Sequence, residues 1–103
     1  MKDFYQIIIL TKKEIDINND NYLVISNSVE LVDNLEIKNN NESLSFDYLI
    51  FDDINLISNF KETNISHENK IPITNFYNAT SIENIFFTEN IINTIYDIES
   101  EEL

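Results

Sequence analysis

The chain has 103 residues, of which 19 are acidic and 6 are lysine, and with no arginine its formal net charge is -13. It contains no glycine, no cysteine and one histidine, His67. Phosphate-binding loops, dinucleotide fingerprints and the nucleophile elbow all need glycine, so they are excluded in standard form. The missing cysteines and the lone histidine exclude disulfides, thiolate metal sites and paired-histidine metal sites. We therefore expect a protein that is not an enzyme and that carries no cofactor and no metal.

The apolar content predicts a folded domain despite the charge. Leu, Ile, Val and Phe make up 37 of 103 residues, or 36%, well above the roughly 20% below which highly charged chains stay disordered. The chain has 19 Ile against a single Ala, Ala79, and β-branched residues favour strands. The length fits one domain, residues 1–103, built around a sheet.

Four apolar runs predict strands, in chain order at residues 4–11, 22–25, 46–51 and 71–77. Residues 7–10 are an unbroken aliphatic run, which is typical of a strand buried on both faces. The fourth run is weaker, because Pro72 fits only a strand start or an edge. Without glycine, the turns are expected at clusters of asparagine, the residue that next best tolerates a left-handed backbone. These clusters lie at 18–21, 39–41 and 64–69.

Helices are predicted between the strands, at residues 27–37, 53–62 and 80–100. Asn27 with Glu30, and Thr80 with Glu83, have the spacing of a capping box, and apolar residues follow each pair at helical intervals. The alternation predicts an α/β fold, with a mixed or mostly parallel sheet of about four strands flanked by helices. Residues 11–21 show no helical period, which leaves either a hairpin or an irregular connection between the first two strands.

Residues 46–52, Phe-Asp-Tyr-Leu-Ile-Phe-Asp, resemble the third strand of response-regulator receiver (CheY-like) domains, and residues 70–74 resemble the fourth. The resemblance covers residues 22–98 in pattern. It implies a receiver-like fold in which Asp52 stands at the position of the phosphate acceptor.

The chain differs from receivers at the positions of their functional residues. Thr11 and Lys12 stand where receivers carry the acidic pair that holds Mg²⁺, and no lysine follows the fourth strand. The resemblance therefore implies a degenerate receiver in which Asp52 is equivalent to the phosphoacceptor but does not accept phosphate. Asp52 and Asp53 are expected to be a helix cap and solvated acids.

The charge limits the partners. Six scattered lysines cannot form a cationic groove, so we expect no direct binding to nucleic acid and none to a membrane. The N-terminal apolar run is too short for a signal peptide or a membrane span, and we expect a cytoplasmic protein. The leading hypothesis is a non-catalytic interaction module, a pseudo-receiver or adaptor, that binds a protein partner or itself through a sheet edge or the C-terminal helix. The alternative is an acidic DNA mimic that inhibits a DNA-binding protein.

Overall fold

A six-stranded mixed sheet forms the centre of the structure, a computed structural model that describes residues 2–100. The elements in chain order are β1 (Phe4–Leu10), β2 (Tyr22–Ile25), β3 (Glu30–Asp33), β4 (Glu36–Asn39), β5 (Glu42–Phe51), 3₁₀ turns at Ile54–Leu56 and Phe60–Glu62, β6 (His67–Glu68), β7 (Ile71–Pro72), β8 (Ile85–Phe87) and the helix α1 (Ile91–Glu99). Strands β6 and β7 form a separate two-stranded hairpin.

The sheet has the strand order β2-β1-β5-β4-β3, with β8 also beside β5. Strand β1 is parallel to both β2 and β5, and β5 is parallel to β8. The hairpin of β3 and β4 joins the sheet at β5, and β4 is antiparallel to both β3 and β5. On the side of β5 away from β1, its first residues pair with β4 and its last three pair with β8.

The core lies on both faces of β1, as the sequence predicted, because all four side chains of residues 7–10 are fully buried. Ile8 and Leu10 pack with the cluster under the 3₁₀ turns, to which Leu56, Ile57 and Phe60 contribute. Ile7 and Ile9 pack on the opposite face with one stripe of α1, made of Ile91, Ile95 and Ile98. The helix therefore covers one face and irregular chain covers the other.

The predicted helix-flanked α/β, receiver-like fold is wrong, since α1 is the one α-helix in the described part of the chain. Residues 27–37 form β3, a turn and the start of β4 instead of a helix. Leu31 pairs with Ile37 across this hairpin, and both are buried. Long-range burial in the sheet outweighs the weak helical period of a segment rich in β-branched residues.

The other two helix predictions fail for reasons that the hydrogen bonds show. Asp53 does cap a helix, because its carboxylate accepts from the amide of Asn55 (2.9 Å), but the helix is a single 3₁₀ turn. The hydroxyl of Thr80 donates to the carbonyl of Ile85 (2.8 Å), which fixes a loop before β8. Of residues 80–100, only Ile91–Glu99 is helical, and of the predicted strand 71–77 only Ile71–Pro72 is a strand.

Asparagine does supply the left-handed backbone that glycine usually provides. Asn40 and Asn41 have φ of 51° and 70° in the turn between β4 and β5, and Asn69 has φ of 53° between β6 and β7. The first connection is irregular and not a hairpin, because β1 and β2 are parallel.

Candidate functional site

Asp52 lies where the parallel strands β1 and β5 end side by side. Its carboxylate accepts a hydrogen bond from the Thr11 hydroxyl (2.7 Å), and the Nζ of Lys13 lies 4.0 Å from the same oxygen. Thr11 Oγ1 in turn accepts from the amide of Lys13 (3.1 Å). The Asp52 side chain is only 7% exposed, so the expectation of a solvated acid was wrong for this residue.

A small cavity of about 330 Å³ opens beside Asp52, lined by Lys12, Lys13, Asp52, Asp53 and Glu89. The carboxylate of Asp53 is engaged in its cap, and Glu89 is exposed at the surface. Among residues 2–100, no three His, Asp or Glu side chains come together in a group that could hold a metal ion. The contacts of Asp52 therefore join the ends of β1 and β5, and its equivalence to a phosphoacceptor stays a prediction.

A second feature is the free edge of β2. The carbonyl of Asn21 accepts a hydrogen bond from the amide of Gln6 in β1 (2.8 Å), and the carbonyl of Ile25 accepts one from the amide of Thr11, directly after β1 (3.1 Å). Because backbone groups alternate in direction along a strand, those of Val24 point away from β1. No strand pairs with β2 on that side in the described part of the chain. Val24 is 38% exposed, so the edge offers both backbone groups and an apolar side chain.

The outer edge of β3, by contrast, is covered. The side-chain amide of Asn59 donates to the carbonyl of Leu31 (2.8 Å) and accepts from its N–H (2.9 Å), as a neighbouring strand would. The amide of Val29 also donates to the carbonyl of Leu56 (2.9 Å).

The outer edge of β8 is covered as well. The amide of Phe87 donates to the carbonyl of Asn78 (3.0 Å), and the amide of Thr80 donates to the carbonyl of Ile85 (2.8 Å). Covering exposed edges is the usual protection against unwanted strand pairing. Strand β2 therefore differs from the other two outer strands of the sheet.

The start of β2 also lies beside the end of α1. Burial and the nearby carboxylate of Glu99 together raise the pKa of Tyr22 to about 12. The helix thus runs across one face of the sheet from the end of β8 to the start of β2. Glu99 and Asp20 are both exposed near this end of the strand, and the ammonium of Lys2 donates to the carbonyl of Asp20 there.

Comparisons of the chain with protein-family models, curated proteins and solved structures gave no match. In residues 2–100, no helix has the length and apolar character needed to span a membrane.

Sequence reasoning identified Asp52 and the run at 22–25 but not the partners of either. Thr11 and Asp52 are 41 residues apart in the chain, and no local pattern joins them. The free edge of β2 was equally hidden, because the strand order of a sheet depends on long-range contacts.

Proposed function

We propose that the chain is a non-catalytic protein-interaction domain that binds a partner by adding a strand of that partner to β2. The observation that carries the proposal is the uncovered edge at Val24, next to a sheet whose other outer strands are covered. In strand addition, backbone hydrogen bonds supply affinity and the alternate side chains supply specificity.

The charge of the chain favours a basic partner strand. Two copies, each with a formal net charge of -13, repel each other as they approach, whereas a lysine- or arginine-rich segment is attracted. Self-association through β2 is therefore the less favoured form of the same contact. The proposal places the domain in the cytoplasm, since a chain without cysteine needs no oxidising compartment for its stability.

The alternative, inhibition of a DNA-binding protein by DNA mimicry, rests on the acidic charge alone. It differs in its test, because a mimic competes with duplex DNA for the basic groove of its partner. A partner strand bound at β2 does not need to bind DNA at all. Mimicry would replace our proposal if two results were found together. Duplex DNA would have to compete with the chain for its partner, and a variant at the β2 edge would have to bind that partner as well as the wild type does.

The experiment uses two substitutions at one position. Val24→Pro removes the N–H that points away from β1, and proline is tolerated on edge strands. Val24→Thr keeps the N–H and a β-branched side chain, and it serves as the matched control. The probe is a short peptide of alternating Lys and Val, followed by amide chemical shifts and amide exchange. We expect the peptide to protect the Val24 amide in the wild type and to bind Val24→Thr similarly, while Val24→Pro loses the binding.

Two further measurements make the outcome decisive. A peptide of alternating Glu and Val should bind much more weakly, since it meets an acidic surface. Sedimentation at several protein concentrations reports self-association, and a dimer that Val24→Pro abolishes would assign the edge to a second copy. Equal peptide binding by the wild type and by Val24→Pro, with no protection of β2, would contradict the proposal.

A further inference from the structure

A cleft opens where β5 changes its neighbour from β4 to β8. Strand β4 pairs with residues 42–45 of β5 and β8 pairs with residues 49–51, so the residues between them, Asp47 among them, have no neighbouring strand on this side. The side chain of Asn84 bridges the gap, because its amide donates to the carbonyls of Asp47 (2.9 Å) and Asn34 (2.6 Å). The cleft beside this bridge has a volume of about 660 Å³, which is within the range of small-molecule sites.

Aromatic rings form part of the wall of this cleft. Tyr48 and Tyr77, both half-buried, line it, and the ring of Tyr48 packs on the fully buried ring of Phe86 with the centroids 6.2 Å apart. Tyr77 belongs to a loop that is fixed by Asn75, whose side-chain oxygen accepts from the amides of Tyr77 (2.9 Å) and Ala79 (3.0 Å). The backbone of the Tyr77 loop and the packing of Tyr48 on Phe86 are therefore in place before any ligand arrives.

The charged side chains that line the cleft are Asp47 and Glu83, and no lysine or histidine is among its lining residues. A second cavity of similar size, about 650 Å³, has a different character, since Lys61, Lys70 and His67 line it together with one acid, Glu62. Aromatic rings attract cations through their negatively charged faces. Rings and carboxylates in one cleft thus favour the same kind of ligand.

We propose that this cleft binds an organic cation, an ammonium or guanidinium group carried on a short alkyl stem. The stem packs against the aromatic rings, and the charged group lies near the carboxylates of Asp47 and Glu83. The net charge of -13 favours the approach of such a ligand. The proposal is independent of strand addition, because β1 and β5 separate the cleft from β2 in the strand order.

The test is a titration of the isotope-labelled protein with butylammonium, followed by amide and side-chain NMR shifts. We expect saturable shifts at the Asn84 side chain, Tyr77 and Glu83, with a Kd of about 1 mM for so small a ligand. Resonances of His67 in the second cavity should not move. Butanol and butyrate, which match the stem without the positive charge, should cause no saturable shift at these positions.

Variants distinguish binding of the cation in the cleft from its general attraction to an acidic protein. Glu83→Gln and Tyr77→Leu should each weaken butylammonium binding by about two- to fivefold, the range of an exposed charge pair or cation–π contact. Glu68→Gln removes one exposed acid outside the cleft and should leave the Kd unchanged. Equal weakening by Glu68→Gln, no saturable shift, or equal shifts with butanol would each overturn the proposal.

A second ligand shows whether the cation is a free amine or a lysine side chain of a partner protein. A tripeptide of Gly, Lys and Gly with blocked ends presents the same alkylammonium group on a protein backbone. Tighter binding of this peptide than of butylammonium assigns the cleft to a lysine side chain of a partner. Weaker binding of the peptide assigns it to a free amine.

Discussion

Tyr22 and Glu99 are two side chains whose proximity changes the pKa of the tyrosine. Burial of the Tyr22 side chain and the nearby carboxylate of Glu99 both disfavour the phenolate, so the pKa of Tyr22 is raised to about 12 from the ordinary value of 10.0. A negatively charged Glu99 at the C-terminal end of α1 is unfavourable for the helix dipole.

This contact predicts a pH dependence of stability. Because the pKa of Tyr22 is higher in the folded state than in the unfolded state, its contribution is fully present below pH 10.0 and is lost as the pH rises towards about 12. NMR shifts of the Tyr22 ring, followed against pH, should show this residue titrating above pH 10.0. Glu99→Gln should lower that raised pKa, because it removes the negative charge, while Glu89→Gln, a control outside the contact, should not. A Tyr22 ring that titrates at the ordinary value of 10.0 would contradict the contact.

The hairpin of β4 and β5 shows how an element can be built without glycine. Asn39 pairs with Glu42 across a two-residue turn, in which Asn40 and Asn41 both have positive φ. Such a turn has the twist that suits antiparallel strands, and asparagine and glycine are the residues that adopt it most readily. The register of β5 starts at this turn, so the turn helps to place Leu44 and Phe46 in the core.

Substitutions at Asn41 should therefore separate backbone conformation from side-chain contacts. Asn41→Gly should leave the free energy of unfolding unchanged or raise it, because glycine adopts positive φ at no steric cost. Asn41→Ala should lower it by about 1 kcal/mol, because alanine lacks the short polar side chain whose local hydrogen bonding lets asparagine adopt the left-handed region. The control is Asn93→Ala on the exposed side of α1, where the change should stay within about 0.5 kcal/mol. Urea unfolding measures the free energy of unfolding of all three variants. An equal loss of that free energy for Gly and Ala at position 41 would contradict the positive φ of Asn41.

Sequence patterns revealed the elements whose signals are local. The run at residues 7–10 and the strand Tyr22–Ile25 are continuous and β-branched, and the structure has both. The spacing of Val29, Val32 and Leu35 suits a helix as well as a hairpin, and only the contact of Leu31 with Ile37 decides between them. The environment of Asp52 was beyond prediction for the same reason, since Thr11 reaches it only after β1 and β5 have paired.

Over the whole molecule, charge repulsion is poorly balanced by ion pairs. The formal net charge is -13, and within residues 2–100 the one ion pair is that of Lys13 with Asp52, at 4.0 Å. Folding brings the carboxylates closer together than they are in the unfolded chain, so repulsion lowers the stability of the folded state. Apolar burial on both faces of the sheet must offset this repulsion.

Salt should therefore stabilise the protein. Raising NaCl from about 0.01 M to about 1 M shortens the Debye length from about 30 Å to about 3 Å, which screens repulsion between separate carboxylates. We expect the free energy of unfolding, measured with the uncharged denaturant urea, to rise over this range at neutral pH. Glu68→Lys, which reduces the net charge at an exposed position, should raise stability at low salt and reduce the dependence on salt, whereas Glu68→Asp should change neither. A stability that falls as salt is added would show that attractive pairs outweigh repulsion in this fold.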